Sequence, residues 1–212
     1  MMKIAFIGIG QVGCALAGQL VALDNAVTIA ARNPDSDSVK TALAKYPQLQ
    51  IASPIEAVAQ AEIVFLATPF NANQAALADV GDLAGKILVD CTNPVGPNLT
   101  HALKSEKSGS ELVESFAPKA KVVKAFTIYG FENFENNTYP SYGDLKPAML
   151  IAGDDTTAKQ VVSTLCQQLG WEAVDVGNLA MSLHLEHLTL LWIKMARVQG
   201  RGADFVWAML KR

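Results

Sequence analysis

Three glycines near the start of the chain have the spacing of a loop that binds phosphate groups. Gly8, Gly10 and Gly13 form a G-x-G-x-x-G pattern within the segment FIGIGQVG. The first glycine permits a tight turn, the second lets the backbone approach a pyrophosphate, and the third lets helix and strand pack closely. The free amides of the following helix then face the anion. Because an apolar strand precedes the pattern, it predicts a dinucleotide site rather than a glycine-rich turn that binds nothing.

A second chemical signal, in the segment VTIAARNPD, is the lack of an acidic residue at the end of the second predicted strand. An Asp or Glu about twenty residues after the glycine loop would bind the ribose hydroxyls of NAD, but Ala31 occupies that position and Arg32 follows. A carboxylate would repel the 2′-phosphate of NADP, whereas an arginine supplies a forked donor for it. Asn33 and Ser36 add neutral donors. We therefore expect NADP as the cofactor, the alternative being a solvated arginine at a strand end.

Two later apolar runs end in a polar residue and a proline. The first continues into Thr68, Pro69 and Phe70, and the second into Asn93 and Pro94. Ligands of open sheets bind beyond the carboxyl ends of the strands. We therefore expect these turns to flank the cofactor, with the Asn93 amide offered to a carboxamide. For Phe70 the alternative is that the proline before it only terminates the strand.

The sequence contains no recognisable catalytic constellation, and the catalytic residues stay unassigned. His184 and His187 form at most an i, i+3 pair on a helix, and without a third ligand they predict no metal site. Asp90 and Cys91 are interpreted as structural. Hydride transfer between two conjugated rings needs none of these groups, because the nicotinamide carries the chemistry and the protein aligns the acceptor.

Short apolar runs alternate with helical stretches, which is the pattern of a parallel sheet covered by helices. Ser53-x-x-Glu56 and Ser108-x-x-Glu111 predict two helix starts with capping boxes. The predicted strands are 3–8, 26–31, 50–52, 62–67, 86–91, 121–126, 148–153 and 171–176. With right-handed crossovers they predict an α/β fold of the Rossmann type, a doubly wound and mostly parallel sheet.

The chain changes character after Phe126. The stretch 127–147 is rich in aromatic residues, Asn, Gly and Pro, and it predicts a long loop without helix or strand. A strand, a helix over 156–169, a strand and a long helix over 179–198 follow. The last helix has so little polar face that we expect it to be buried in the core or in a subunit interface. We divide the chain into an NADP-binding Rossmann domain, 1–140, and a small C-terminal strand-helix-strand-helix extension, 141–212.

The composition narrows the classes of partner. The chain has 212 residues, half of them hydrophobic, which is enough for one well-buried core. A net charge of -3 without a basic run argues against nucleic acid or an anionic membrane surface. Glycines within the apolar start argue against an export signal, and charged residues in 179–198 argue against a membrane span. Three scattered cysteines, Cys14, Cys91 and Cys166, indicate a cytoplasmic location.

Five motifs, taken together and in this order, carry a family resemblance: FIGIGQVG, AARN, ATPF, DCTNPVG and VVKAF. They resemble the NADPH-dependent reductases of the deazaflavin coenzyme factor 420 and the related NADPH-binding domain of six-transmembrane metalloreductases. The resemblance implies a Rossmann domain whose C-terminal part helps to form the acceptor pocket and the dimer. It places Ile9, Gly10, Gln11 and Val12 at the pyrophosphate, Arg32 and Asn33 at the 2′-phosphate, and Thr68, Pro69 and Asn93 at the ribose and nicotinamide. Thr127 departs from the Asn-Thr that often follows VVKAF in the family, and the aromatic loop 129–142 is particular to this chain.

We therefore expect an NADPH-dependent oxidoreductase that passes hydride to a small flavin-like acceptor, whether deazaflavin, flavin or quinone. We expect a homodimer, with no nucleic-acid or membrane partner. One alternative is a reductase of an imine or carbonyl substrate, although the chain past Phe126 is too short for the larger helical domain of such enzymes. Another alternative is a non-enzymatic NADP(H) redox sensor, which would bind the cofactor without turnover.

Overall fold

The computed structural model describes residues 1–212 and contains one eight-stranded sheet. The strands are β1 (Lys3–Ile7), β2 (Ala26–Ala30), β3 (Gln50–Ala52), β4 (Ile63–Leu66), β5 (Ile87–Asp90), β6 (Lys121–Lys124), β7 (Ala148–Gly153) and β8 (Glu172–Asp175). They lie in the order β3-β2-β1-β4-β5-β6-β7-β8. The first six are parallel and follow the order expected of a Rossmann sheet, so the predicted fold class is confirmed.

Helices cover both faces of this sheet. They are α1 (Gln11–Ala22), α2 (Asp37–Lys45), α3 (Pro54–Gln60), α4 (Asn73–Ala78), α5 (Gly109–Phe116), α6 (Phe131–Glu135), α7 (Thr156–Gln168) and α8 (Ser182–Ile193). Successive side chains of a strand point to opposite faces. In β1, Ile4 and Phe6 accordingly join one buried apolar cluster, and Ala5 and Ile7 join another. This strand is thus buried on both sides of the sheet.

Both predicted capping boxes are present. The Ser53 hydroxyl accepts from the Glu56 amide at 3.3 Å, while the Glu56 carboxylate accepts from the Ser53 amide at 3.2 Å. Ser108 and Glu111 repeat the arrangement at 3.1 and 2.7 Å. These caps satisfy backbone donors that the first helical turn leaves unpaired. They fix the starts of α3 and α5 beside the sheet.

The sixth strand is shorter than predicted. It was expected over 121–126, but β6 ends at Lys124. Phe126 has a φ of 50° and Ile128 a φ of 65°, so the backbone enters the left-handed region twice directly after the strand. This region is costly for a residue with a Cβ, and more so for a β-branched one. The chain therefore turns sharply at the carboxyl edge of the sheet, with Thr127 between the two strained residues.

The prediction of an entirely irregular segment over 127–147 is wrong. The segment contains the short helix α6 and a 3₁₀ turn, Pro140–Tyr142. Helix α6 exists because Phe134 is buried, with its ring 6.0 Å from that of Trp171 between ring centroids. The Gln19 amide also donates to the Glu135 carbonyl at 2.7 Å, which ties α6 to α1. Tertiary packing thus overrides a composition that is typical of a loop.

The C-terminal strands extend the same sheet. Strand β7 runs antiparallel to β6, pairing Val123 with Gly153, and β8 runs parallel to β7. The predicted long helix begins with a 3₁₀ turn, Leu179–Met181, continues as α8 and ends in a π-helical turn, Lys194–Val198. Trp192 is buried, whereas Leu191 and Val198 are 48% and 70% exposed, so the predicted burial holds for one face of the helix. No helix is both long and apolar enough to cross a bilayer.

Candidate functional site

The glycine loop joins β1 to α1 at the centre of the sheet. Gly8 has a φ of 91°, and a Cβ there would lie 2.7 Å from the Ala67 carbonyl oxygen, so the turn and the approach of β4 both require glycine. Gly13 packs against the Gly8 carbonyl in the same way. A Cβ at Gly10 would meet no atom within 4 Å. The bare backbone at Gly10 therefore borders open space, which is the cradle that a pyrophosphate requires.

The first turn of α1 presents unpaired backbone donors to this cradle. Gly10 is the N-cap residue and no side chain caps the helix. Since the first intrahelical bond runs from the Cys14 amide to the Gly10 carbonyl, the amides of Gln11, Val12 and Gly13 have no acceptor within the helix. Ile9 is buried and belongs to the same apolar cluster as Ile4 and Phe6. Bare backbone and free amides together fit a dinucleotide pyrophosphate.

A cavity of about 260 Å³ opens beside the loop, between the carboxyl ends of β1, β2 and β4. Five of the predicted site residues line it: Gly8, Ile9, Arg32, Asn33 and Thr68. Ala31 also lines it, so no carboxylate stands at the end of β2. The Asn33 side-chain oxygen accepts from the Asp35 amide at 3.0 Å, which leaves the Asn33 amide group free to donate. The hydroxyls of Ser36 and Ser38, at the start of α2, complete a set of donors around this end of the cavity.

Asp79 lies across the cavity from Arg32. Its carboxylate oxygen Oδ2 is 3.2 Å from Arg32 Nη1, and the two side chains are 50% and 62% exposed. Nothing in the sequence around either residue indicates the other, because 47 positions separate them. The acidic residue that pairs with the predicted phosphate ligand therefore leaves no signal in the sequence.

The end of β4 is fixed by a chain of buried hydrogen bonds. The Thr68 hydroxyl donates to Asn73 Oδ1 at 2.7 Å, and Asn73 Nδ2 donates to the Thr92 hydroxyl at 2.9 Å. Thr92 donates in turn to Asp90 Oδ1 at 2.7 Å. Asn73 has no exposed surface. The cavity residue Thr68 is thus linked to the end of β5 through Asn73, a residue that no motif in the sequence marks.

Three other predicted site residues at the carboxyl edge of the sheet, Pro69, Phe70 and Pro94, lie outside the cavity beside the glycine loop. Pro69 is exposed and begins the 3₁₀ turn Phe70–Ala72. Phe70 and Pro94 approach one another over Gly109, where a Cβ would lie 2.7 Å from the Phe70 ring and 3.1 Å from Pro94 Cδ. Phe70 and Pro94 therefore pack the start of α5 against the sheet edge, and neither lines the cavity beside the glycine loop.

Asn93 is held by two threonines at the end of β5. The Thr127 hydroxyl donates to Asn93 Oδ1 at 2.8 Å, and the Thr189 hydroxyl lies 3.1 Å from the same oxygen. Thr189 also accepts from the Ile128 amide at 3.0 Å, within the strained turn after β6. Since its oxygen is occupied, Asn93 keeps a free amide group at the partly exposed side of the cluster. The C-terminal helix α8 thus supplies part of the site.

A buried ionic network lies beneath this edge. The Lys124 ammonium is 3.2 Å from Asp90 Oδ2 and 3.4 Å from Glu186 Oε1, and it also donates to the Thr92 carbonyl. Burial disfavours the charged ammonium, but the carboxylates of Asp90 and Glu186 outweigh that effect and raise the pKa of Lys124. The Asp90 carboxylate is therefore paired with the Lys124 ammonium in the protein interior. Cys91 is also buried, and burial raises the pKa of its thiol.

The histidines pair differently from the predicted i, i+3 arrangement. His187 stacks on His101, with ring centroids 5.3 Å apart, and His184 takes no part. His101 Nδ1 accepts from the Ser105 amide at 3.2 Å, so its Nε2 carries the hydrogen that faces Glu186 Oε2 at 2.8 Å. Nowhere in the chain do three His, Cys, Asp or Glu side chains come together as a metal site would require.

Comparisons with known proteins identify several relatives of this chain. A family model described as "NADP oxidoreductase coenzyme F420-dependent" matches residues 3–94. The F420-dependent NADP reductase of Methanocaldococcus jannaschii is 30% identical over 208 residues, which cover 91% of each chain. The metalloreductase STEAP3 of Rattus norvegicus is 32% identical over 190 residues. That match covers 89% of this chain but only 36% of STEAP3, so the chain spans about a third of that relative.

A solved structure shows the same likeness over the whole chain. The crystal structure of a provisionally assigned F420-dependent NADP reductase from an Arthrobacter species matches with a TM-score of 0.89. The two proteins are 31% identical, and the match covers 100% of both chains. The likeness therefore includes the C-terminal extension, which the family model does not reach.

Proposed function

The chain belongs to the F420-dependent NADP reductase family and is an NADP-dependent oxidoreductase, and we propose that it transfers hydride between NADP(H) and a deazaflavin ring. Support for this acceptor comes from relatives that match along nearly their whole length and are named for it. The STEAP3 match covers only part of that protein, so the metal reduction in its name is weaker support for the acceptor of this chain.

We propose that the glycine loop and the first turn of α1 hold the pyrophosphate of the cofactor. The observation that carries this assignment is the backbone at Gly10, where a Cβ would meet nothing and three free amides follow. The adenosine end then extends into the cavity beside β2. There Arg32, Asn33 and the serines at the start of α2 are the proposed ligands of the 2′-phosphate.

At the other end of the cofactor, Thr68, Pro69 and Asn93 are the proposed neighbours of the nicotinamide and its ribose. Asn93 is suited to bind the carboxamide, because Thr127 and Thr189 occupy its oxygen and leave two amide hydrogens free. When bound, the cofactor would donate or accept the hydride, and the residues named here would hold the two reacting rings in alignment. The buried network around Lys124 keeps its charged groups paired and thereby fixes the floor of the site.

We also propose that residues 141–212 help to form the acceptor pocket and a homodimer. Thr189 of α8 reaches the Asn93 cluster, which is the contact that supports the first role. Exposed Leu191 and Val198 on the C-terminal helical segment support the second. All three cysteines are free, in keeping with the proposed cytoplasmic location.

Acceptor identity is tested by following NADPH oxidation at the nicotinamide absorbance with purified protein. Deazaflavin, FMN and menadione are offered at equal concentrations, and kcat/KM is measured for each. We expect the highest kcat/KM with deazaflavin. A higher value with FMN or menadione would contradict the proposed acceptor while leaving the NADP-dependent oxidoreductase class intact. The matched control is the Gly10→Val variant, whose Cβ would fill the pyrophosphate cradle and abolish oxidation with every acceptor.

A further inference from the structure

Asp79 faces the proposed 2′-phosphate ligand at ion-pair distance. Its Oδ2 lies 3.2 Å from Arg32 Nη1, and both residues line the cavity beside the glycine loop. A carboxylate is the opposite of what an anion site requires, because it repels the phosphate and occupies a donor of the guanidinium. Its presence within this cavity therefore calls for a physical explanation.

Structural stabilisation does not explain Asp79. Its carboxylate makes no hydrogen bond other than the one to Arg32, and half of the side chain is exposed. Exposed ion pairs of this kind contribute little to stability. Asp79 is also the C-cap residue of α4, where a negative charge opposes the helix dipole. Neither fold stability nor helix capping thus favours an acidic residue at this position.

We infer that Asp79 sets the affinity for NADP by competing with the 2′-phosphate for Arg32. Before the cofactor enters, Asp79 holds the guanidinium over the cavity. The 2′-phosphate carries nearly two negative charges at neutral pH and competes with the carboxylate for the same guanidinium. NAD has a neutral hydroxyl at that position and gains nothing from Arg32. Asp79 is therefore a specificity-determining residue that lowers the affinity for NADP selectively.

The expected change in NADPH affinity follows from the exposure of the Arg32–Asp79 ion pair. Two unit charges about 4 Å apart in water interact by about 1 kcal/mol, and salt screens exposed pairs strongly. We therefore expect Asp79→Asn to tighten NADPH binding by about threefold to tenfold at low ionic strength. Among variants of one complex, affinity changes reside mostly in the dissociation rate. Asp79 consequently speeds the release of the cofactor, which each catalytic cycle requires.

The test measures binding of NADPH and NADH by nicotinamide fluorescence, without any hydride acceptor. The proteins compared are the wild type, Asp79→Asn, Arg32→Ala and the double variant. Asp82→Asn is the matched control: Asp82 lies three positions further along, is exposed, and is outside the cavity. Its oxygen accepts from the Ala84 amide at 2.9 Å, a bond that asparagine preserves.

We expect Asp79→Asn to tighten NADPH binding threefold to tenfold at low salt and to leave NADH binding unchanged. The gain should shrink in 0.5 M salt, be absent in Asp82→Asn and fall by more than half when Arg32 is already alanine. Unchanged or weaker NADPH binding by Asp79→Asn, or an equal gain for NADH, would overturn the inference. So would a gain of the same size in the Arg32→Ala background.

The inference rests on the proposed role of Arg32 and not on the identity of the acceptor. The two can fail separately. If Arg32→Ala leaves NADPH binding unchanged, the assignment of Arg32 to the phosphate is wrong and the competition falls with it. If Arg32→Ala weakens NADPH binding while Asp79→Asn does not strengthen it, only the role of Asp79 is overturned.

Discussion

The Lys124 ammonium lies 3.2 Å from the Asp90 carboxylate, and neither side chain has any exposed surface. Glu186 of α8 completes the group at 3.4 Å from the same nitrogen. Lys124 thus joins β5, β6 and the C-terminal helix at one buried point. Because an unpaired charge in the protein interior is costly, the three side chains depend on one another.

Replacing Lys124 by methionine should therefore destabilise the fold. The change leaves Asp90 and Glu186 without their cation, and we expect the free energy of unfolding to fall by about 3–5 kcal/mol. Urea denaturation measures this loss. Lys121→Met is the control on the same strand, because the Lys121–Asp155 pair is 40% and 32% exposed and should contribute little to stability. A loss for Lys124→Met as small as the one expected for Lys121→Met would show that the buried network contributes little to stability.

The regular elements of this fold could be predicted from local sequence. Each apolar run forms a strand, and both Ser-x-x-Glu patterns form capping boxes, because the interactions that cause them span only a few residues. The glycine loop was equally visible, since the constraints on Gly8 and Gly13 come from the adjoining strand and helix. Local patterns therefore predict the strands of the sheet and the position of the pyrophosphate cradle.

The partners of the site residues could not be predicted, because they are distant in sequence. Asp90 and Lys124 are 34 positions apart, and His101 and Glu186 are 85 apart. Neither pair leaves a periodic or spacing signal. Helix α6 leaves no sequence signal for a related reason, since it depends on the burial of Phe134 and not on helix propensity.

Stability at acidic pH should depend on Asp155. This residue caps α7, and the hydrogen bond from the Ala158 amide at 2.7 Å, followed by the neighbouring Lys121, lowers the pKa of its carboxyl below the ordinary value of 3.8. A depressed carboxyl pKa contributes stability above the unfolded-state pKa, and this contribution is lost as pH falls through the folded-state pKa.

Asp155→Asn keeps the capping oxygen but removes the charge. We expect the variant to be less stable than wild type at pH 7 and to approach wild-type stability below pH 3.8. Urea unfolding across this pH range measures the difference. The interpretation fails if the difference between the two proteins stays constant with pH.

Arg32→Ala should weaken NADPH binding selectively. A charge-assisted hydrogen bond contributes about 1.5–3 kcal/mol, so the Kd for NADPH should rise about tenfold to a hundredfold while that for NADH stays constant. Adding Ala31→Asp should shift the preference towards NADH, because the new carboxylate binds ribose hydroxyls and repels the phosphate. Lys40→Ala is the charge control, since Lys40 is exposed nearby on α2 but does not line the cavity. An equal effect in that control would point to net charge instead of a specific ligand.

The C-terminal helical segment should mediate the proposed homodimer. We expect light scattering to give twice the chain mass of 22.6 kDa for the wild type. Replacing both Leu191 and Val198, which are 48% and 70% exposed, by aspartate should yield a monomer. Ile55→Asp, at a 61% exposed position on α3, should leave the dimer intact. A monomeric wild type, or dissociation by Ile55→Asp alone, would contradict this assignment of the interface.

Asn93 provides the sharpest test of the nicotinamide end of the site. Aspartate at this position still accepts from Thr127, which donates at 2.8 Å, so the fold around the strained turn should survive. It offers a carboxylate where the asparagine offers two amide hydrogens. We therefore expect Asn93→Asp to keep the thermal midpoint but to lower kcat/KM for NADPH by about tenfold to a hundredfold.

Two measurements separate this positioning role from a general disturbance of the Asn93 site. Binding of 2′,5′-ADP, which has the adenosine end of NADP but no nicotinamide, should be unchanged in Asn93→Asp. Thr189→Ser keeps the hydroxyl that lies 3.1 Å from the Asn93 oxygen, and it should retain wild-type kcat/KM. Weaker 2′,5′-ADP binding in Asn93→Asp would mean that the whole cofactor site is distorted. Unchanged kcat/KM would mean that the Asn93 amide does not bind the carboxamide, because losing that donor must weaken the alignment of the reacting ring.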